Sequence, residues 1–262
     1  MKLHGVFIGI NKYSDPRISS LRYAKTDAEQ FYWAVTKSGL TSDQINIQLL
    51  TDAEATRPAV LRAIGEVLPR TVRDQDLVIL YFSGHGSPET SAVPDGVSRY
   101  LITHDVDYAN VFSTALDMER DLSRLIERIP SALIIVILDT CFSGRGGGRT
   151  FEGPLLRQSR TGWRISTRLS ELNLGEGRVI MAACDDDEVA YEELSLGHGV
   201  FTYYLLRALT AQDTLDISVG ISSLYDTVAQ QVNTFTQGRQ NPVLNGRVSL
   251  ARLPLLRADG EE

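Results

Sequence analysis

Two short segments of this 262-residue chain carry side chains suited to nucleophilic chemistry. Ser83-Gly84-His85-Gly86 follows the apolar run Asp76 to Phe82, and Asp139-Thr140-Cys141-Phe142-Ser143-Gly144 follows the apolar run Ala132 to Leu138. A thiol is a strong nucleophile only as a thiolate, which requires an adjacent base or a lowered pKa. Imidazole titrates near neutrality and suits that task. His85 is therefore the candidate base and Cys141 the candidate nucleophile. Glycines beside both residues let a peptide backbone approach closely and leave backbone N–H groups free to point at it. The amides of Gly86 and Cys141 are the candidate oxyanion-hole donors.

Only folding can bring these distant segments together, and the flanking pattern says how. Leu3–Ile10, Ile45–Leu50, Asp76–Phe82, Ala132–Leu138 and Arg178–Ala183 read as strands; Tyr100–Thr103 reads as a short edge strand and Val243–Ala251 as a last one. Helical spacing runs through Asp27–Ser38 with Gly39 as its C-cap, then through Arg57–Leu68, Leu116–Ile129, Phe201–Leu209 and Ile221–Phe235. Strands apolar on both faces and separated by helices predict a mostly parallel sheet of about six strands in a three-layer α/β sandwich. Ligands sit beyond the carboxyl ends of such strands, and adjacent parallel strands would set His85 and Cys141 on one edge.

The whole chain, 1–262, reads as one domain with a long aperiodic insert at 144–177. That insert holds a glycine cluster (Gly146, Gly147, Gly148) and Arg145, Arg149, Arg157, Arg160, Arg164 and Arg168. A loop of that length in a compact domain is usually functional or disordered, and here it reads as a flexible activation or regulatory loop. The net charge of −7 disfavours nucleic-acid binding. No run approaches the ~20 apolar residues that span a bilayer, and no signal peptide is visible, so no membrane role is expected. Two cysteines make neither a disulfide framework nor a structural zinc site, and they fit a reducing cytoplasm. Cys184 lacks a flanking pattern and reads as structural. His198 lies in a second Gly-His-Gly and reads as a loop or cleft residue; His4 and His104 read as surface or packing histidines. The acidic run Asp185-Asp186-Asp187-Glu188 with Glu192 and Glu193 reads as a solvated loop or as the rim of a basic-substrate cleft. The glycine cluster lacks the Lys-Ser/Thr of a phosphate loop, which argues against a nucleotide switch. Position 141 is Cys within no G-x-S-x-G, which argues against a serine hydrolase.

These segments together resemble the caspase-like peptidases, particularly the metacaspases and their bacterial relatives. The resemblance rests on Val6-Phe7-Ile8-Gly9-Ile10-Asn11, Leu21 to Asp27, Tyr81 to Gly86, Asp139 to Gly144 and Gly199-Val200-Phe201-Thr202, in family order over nearly the whole chain. It implies a Cys–His dyad hydrolysing peptide bonds, with no cofactor. It also implies an acidic S1 pocket at the positions of Asp27 and Asp139, with Ser83 alongside, and hence protein or peptide substrates carrying Arg, then Lys, at the cleavage site. The family often has Cys where this chain has Ala24, and His where it has Phe142. For the calcium that many metacaspases need, Asp95, Asp105 and Asp117 lie in the right region, but Met118 and Gly148 stand where further carboxylates are expected, so no metal is assigned. A chain that cuts after arginine could cut its own 144–177 loop, or have it cut by an activating protease, and would then be a zymogen. The rival expectation is a catalytically silent caspase-like adaptor. Oligomeric state is open.

Overall fold

The computed structural model describes residues 1–38, 40–90, 97–142, 148–149, 151, 176–185, 188–210, 218–246 and 252–254. In chain order these form β1 (Leu3–Gly9), α1 (Ala24–Thr36), β2 (Ile45–Thr51), α2 (Arg57–Arg62) and β3 (Leu77–Ser83). Next come β4 (Gly86–Thr90), β5 (Val97–Leu101), β6 (Leu116–Asp117), α3 (Ser123–Glu127), β7 (Leu133–Asp139) and β8 (Arg178–Ala182). The last are β9 (Glu192–Glu193), β10 (His198–Gly199), α4 (Val200–Thr210), β11 (Ser218–Gly220), α5 (Ile221–Thr236), β12 (Val243–Gly246) and β13 (Arg252–Pro254). The central sheet has six strands in the order β12-β8-β7-β3-β1-β2. All its pairings are parallel except that of β12 with β8. This is the mostly parallel α/β sandwich expected from the apolar runs.

Period-two alternation along each strand divides the core in two. Leu77, Ile79 and Tyr81 of β3, with Ile135 and Ile137 of β7, pack under Phe31 of α1, Leu205 of α4 and Val228 of α5. Val78, Leu80 and Phe82, with Ile134, Val136 and Leu138, pack under Val60 of α2 and Leu125 of α3. Each such side chain, fully buried, contributes about 1.5–3 kcal/mol relative to exposure. This two-sided burial pins the register of neighbouring strands. Gly9 stands opposite Ser83, and Ser83 opposite Asp139, so three strands end level with one another.

Several elements differ from their sequence reading for local reasons. The helix expected over Arg57–Leu68 starts as α2, widens into a π-turn at Ala63–Val67, and closes with a helical turn at Leu68–Thr71. Pro69 has no N–H to give the Gly65 carbonyl, and that carbonyl accepts instead from Arg128 Nε at 3.1 Å. The helix expected from Leu116 begins two residues later. Leu116–Asp117 is a strand, and the Asp117 carboxylate caps the turn Met118–Leu122 by accepting from the Glu119 and Arg120 amides. The edge strand expected at Tyr100–Thr103 is β5, which lies between β4 and β6 in a separate antiparallel sheet. The Gly39 cap, Asp95 and most of the 144–177 loop lie outside the described residues.

Candidate active site

The level ends of β3 and β7 put the two chemistry-bearing segments side by side. Gly86 and Cys141 are in direct backbone contact: a Cβ built on Gly86 would fall 2.5 Å from the Cys141 carbonyl oxygen and 2.7 Å from Thr140 Oγ1. Only glycine fits there. His85 and Cys141 are both buried.

His85 is fixed from three sides. Its amide donates to Tyr13 Oη at 2.8 Å, and the Tyr13 ring stacks on the imidazole at 5.2 Å between centroids. Its Nε2 lies 2.8 Å from the Ser19 carbonyl oxygen and 3.3 Å from Ser19 Oγ. A carbonyl can only accept, so Nε2 carries the proton and Nδ1 keeps its lone pair. Among the described residues Nδ1 is buried and makes no hydrogen bond of normal geometry, although the Arg149 backbone lies close to the ring. Burial lowers the His85 pKa, partly offset by hydrogen bonding to the Ser19 and Arg149 backbones, so the ring is neutral near pH 7.

The Cys141 thiol donates to the Glu188 carbonyl at 2.7 Å. Cys184, read as structural, lies next to it: its thiol reaches the same carbonyl at 3.6 Å and Thr140 O at 3.7 Å. Contact with Cys141, then burial, raises the Cys184 pKa well above the usual thiol range. Cys184 therefore stays a protonated neighbour.

Asp27, Ser83 and Asp139 converge, and what joins them is an arginine of the chain itself. Arg149 is 0% exposed, as are both aspartates. Its Nη2 reaches Asp27 Oδ2 at 2.5 Å, and its Nη1 reaches Asp139 Oδ2 at 2.9 Å. Nη1 also donates to Ser83 Oγ at 2.5 Å and to the Asp139 carbonyl at 3.1 Å. Glu192, from the acidic run, closes the pocket at 3.4 Å from Nη2. Burial alone would lower the guanidinium pKa; Asp139, Asp27 and Glu192 outweigh it and hold the group charged.

The carboxylates are themselves oriented. Asp27 sits in the first turn of α1 and accepts from His198 Nδ1 at 2.7 Å and from the Gly199 amide at 3.1 Å. His198 thus holds a pocket wall. Thr202 Oγ1 donates to Asp139 Oδ2 at 2.5 Å and lies 2.6 Å from Tyr81 Oη, which must then donate to it. Glu192 accepts from the Arg22 and Tyr23 amides just ahead of α1. Gly199 forms the floor: a Cβ there would fall 2.6 Å from both Arg149 Nη2 and Asp139 Oδ2.

The Arg149 backbone is held as firmly as its side chain. Its amide donates to the Ala190 carbonyl at 3.1 Å, and its carbonyl accepts from the Gly86 amide at 3.1 Å. The Phe151 amide then donates back to the Gly86 carbonyl at 2.9 Å. Arg149 and Phe151 therefore both bond to the Gly86 backbone, as a strand residue's partners would, with the Arg149 carbonyl on a candidate oxyanion donor.

Asp105 and Asp117 are taken up by protein partners. Asp105 Oδ1 accepts from the Arg57 amide and Thr103 Oγ1, and both Asp117 oxygens serve Arg120 or the capped turn. Among the described residues no group of three or more His, Cys, Asp or Glu side chains could hold a metal ion. A groove of about 590 Å³ opens at the opposite edge of the sheet beside Met1, His4 and Asp76, away from these residues. At the carboxyl edge Arg149 occupies the space between Asp27, Asp139 and Glu192.

A family model described as the caspase domain of peptidase C14 matches residues 3–250. The chain belongs to the caspase-domain family. Among solved structures, this caspase domain resembles the crystal structure of protein GSU0716 from Geobacter sulfurreducens, with a TM-score of 0.67, 20% identity and 95% of each chain covered. At that identity the likeness shows the shared fold. Among curated proteins none matches. Among the described residues, no helix of the caspase domain is long and apolar enough to cross a membrane.

Sequence reasoning missed Ser19, Tyr13, Thr202 and the individual role of Arg149. Thr202 stood inside a quoted segment without a role. Ser19 acts through its backbone carbonyl, which no side-chain pattern reveals.

Proposed function

We propose that this caspase domain is a cysteine endopeptidase that cleaves after arginine, and after lysine less well. It is made as a zymogen whose first substrate is its own Arg149–Thr150 bond. One observation carries the reading: Arg149 lies in a pocket of three carboxylates while its carbonyl rests on the Gly86 amide, the arrangement an arginine substrate would need.

The chemistry follows from the groups present. His85 Nδ1 takes the Cys141 proton, and the thiolate attacks the carbonyl carbon of the arginine. The Gly86 and Cys141 amides hold the oxyanion. Collapse breaks the C–N bond, and His85 returns its proton to the leaving amine. A water then gives a proton to His85 and attacks the thioester, releasing a carboxylate and restoring the thiol. In the resting state the thiol hydrogen is held by the Glu188 carbonyl, so attack begins with rotation of the Cys141 side chain. Arginine is favoured because its planar fork answers Asp27 and Asp139 together, whereas an ammonium is a point charge. Cleavage after Arg149 also frees the pocket once the new end departs, which couples self-cleavage to activity on other chains.

The test compares fluorogenic peptides ending in Arg, Lys and Asp on the wild type and on Cys141→Ala, with intact mass reporting the self-cleavage site. Arg over Lys over Asp, a cut after Arg149, and loss of both activities in Cys141→Ala are expected. Activity surviving that substitution defeats the mechanism, and a preference for Asp defeats the pocket assignment.

A further inference from the structure

Phe151 is held as deliberately as Arg149, and nothing in the dyad or the acidic pocket accounts for it. Its ring is buried among Ile18, Tyr100, Ile102, Val106 and Val111, and meets the Tyr108 ring edge-on at 5.2 Å. These residues come from the loop after β1, the end of β5 and the segment that follows it, so they are part of the body of the domain and not of the inserted loop. Gly86 bonds to both Arg149 and Phe151: it donates to the residue before the Arg149–Thr150 bond and accepts from the second residue after it. Main-chain bonds of this kind set the position of an added strand whatever its sequence, and pockets for alternate side chains then read it.

We infer that the apolar pocket around Phe151 is a primed-side subsite that selects an aromatic residue two positions after the cleaved bond, so that the enzyme reads Arg-X-Phe and not arginine alone. This inference rests on the peptidase reading above. Any substrate that places its arginine carbonyl on the Gly86 amide has its second following amide drawn to the Gly86 carbonyl, and the side chain there enters the space Phe151 now fills. A ring fits the space because Tyr108 offers an edge-to-face partner beyond the aliphatic lining. Leucine fills less of it, and alanine leaves it empty.

Quenched-fluorescence peptides alike in every position but this one, reading Arg-Thr-Phe, Arg-Thr-Leu and Arg-Thr-Ala, test the subsite. They are assayed on Phe151→Ala, which vacates the pocket, and on wild type that has fully self-cleaved, which serves if the variant folds poorly. The expected order in kcat/KM is Phe, Leu, Ala, with on the order of tenfold or more between first and last, carried mainly by KM. Equal cleavage of the three overturns the subsite and leaves the arginine-directed peptidase standing. Cleavage of none of them, by either preparation, overturns the peptidase reading and the subsite with it.

Discussion

The two ends of the central sheet each bury an aspartate beside a strand terminus, and the two carboxylates behave oppositely. At the amino edge, Asp76 just before β3 accepts from the Lys2 amide at 2.7 Å and the Arg73 amide at 3.0 Å, with His4 Nε2 at 3.3 Å. Burial would raise its pKa, but those amides outweigh it and the pKa falls below the usual carboxylate range. At the carboxyl edge, Asp139 at the end of β7 has Thr202 and Arg149 on Oδ2, while among the described residues Oδ1 has no hydrogen-bond partner. Burial pushes its pKa up to about 6, against the pull of Arg149. An aspartate satisfied by its own backbone is a fixture of the fold. On the proposed reading, Asp139 is instead a receptor whose counter-charge is carried in by an arginine, and its incomplete satisfaction without that arginine is what makes it bind.

Removing each carboxylate separates the two cases most sharply. Asp139→Asn or Asp27→Asn is expected to lower kcat/KM for arginine peptides by on the order of a hundredfold, the cost of leaving a buried charge short of a partner. Asp76→Ala is expected to leave the Arg-over-Lys ratio unchanged and to lower Tm by several degrees, from a loss of about 2–3 kcal/mol in a domain of this size. A Tm loss in Asp139→Asn as large as in Asp76→Ala, with peptide specificity retained, would make both aspartates structural. Next in size is Arg149→Ala. It abolishes the self-cut at this bond and raises the initial rate on added arginine peptides by about tenfold or more, because a tethered competitor at millimolar effective concentration is gone. Mass spectrometry and initial rates measure both effects, and a variant no faster than uncut wild type would mean that Arg149 does not block the pocket.

The receptor edge was legible only in part, and the reason is physical. Unbroken apolar runs located β3 and β7, and parallel pairing set Ser83, His85, Asp139 and Cys141 on one edge before any coordinates. Arg149 was one of six arginines in an aperiodic glycine-rich stretch, where no periodicity singles out a residue. What distinguishes it is distance to carboxylates brought from α1, β7 and β9, and sequence spacing does not encode that. The amino edge was less legible still: His4 read as surface or packing, and its partner Asp76 as the first residue of a strand. The acidic run was ambiguous because a cleft rim and a solvated loop have the same composition; of its described residues, Glu192 is the one whose side chain meets Arg149.

A smaller effect sharpens the shape of the receptor. A Cβ on Gly199 would fall 2.6 Å from both Arg149 Nη2 and Asp139 Oδ2, so Gly199→Ala shortens the pocket at the tip of the guanidinium. A lysine ammonium is narrower there. The Arg-to-Lys ratio in kcat/KM is expected to fall by about tenfold, with the loss on the arginine side. An unchanged ratio would place the guanidinium of a true substrate elsewhere.

The smallest effect is in pH, and its sign follows from the raised Asp139. A substrate arginine needs the ionised carboxylate, and the ionised fraction falls as pH drops through about 6. KM for arginine peptides is therefore expected to rise on the acid side, approaching about tenfold per pH unit well below that point. His85 must be neutral to accept the Cys141 proton, and burial places its titration below the usual imidazole value, so its acid limb belongs to kcat. Asp139→Asn separates the two: the KM profile becomes flat while the kcat limb remains. If KM in the wild type is already flat from pH 7 to 5, Asp139 keeps its charge with the pocket open. Water or Thr202 then satisfies the carboxylate as completely as backbone amides satisfy Asp76, and the contrast between the two edges does not lie in their aspartates.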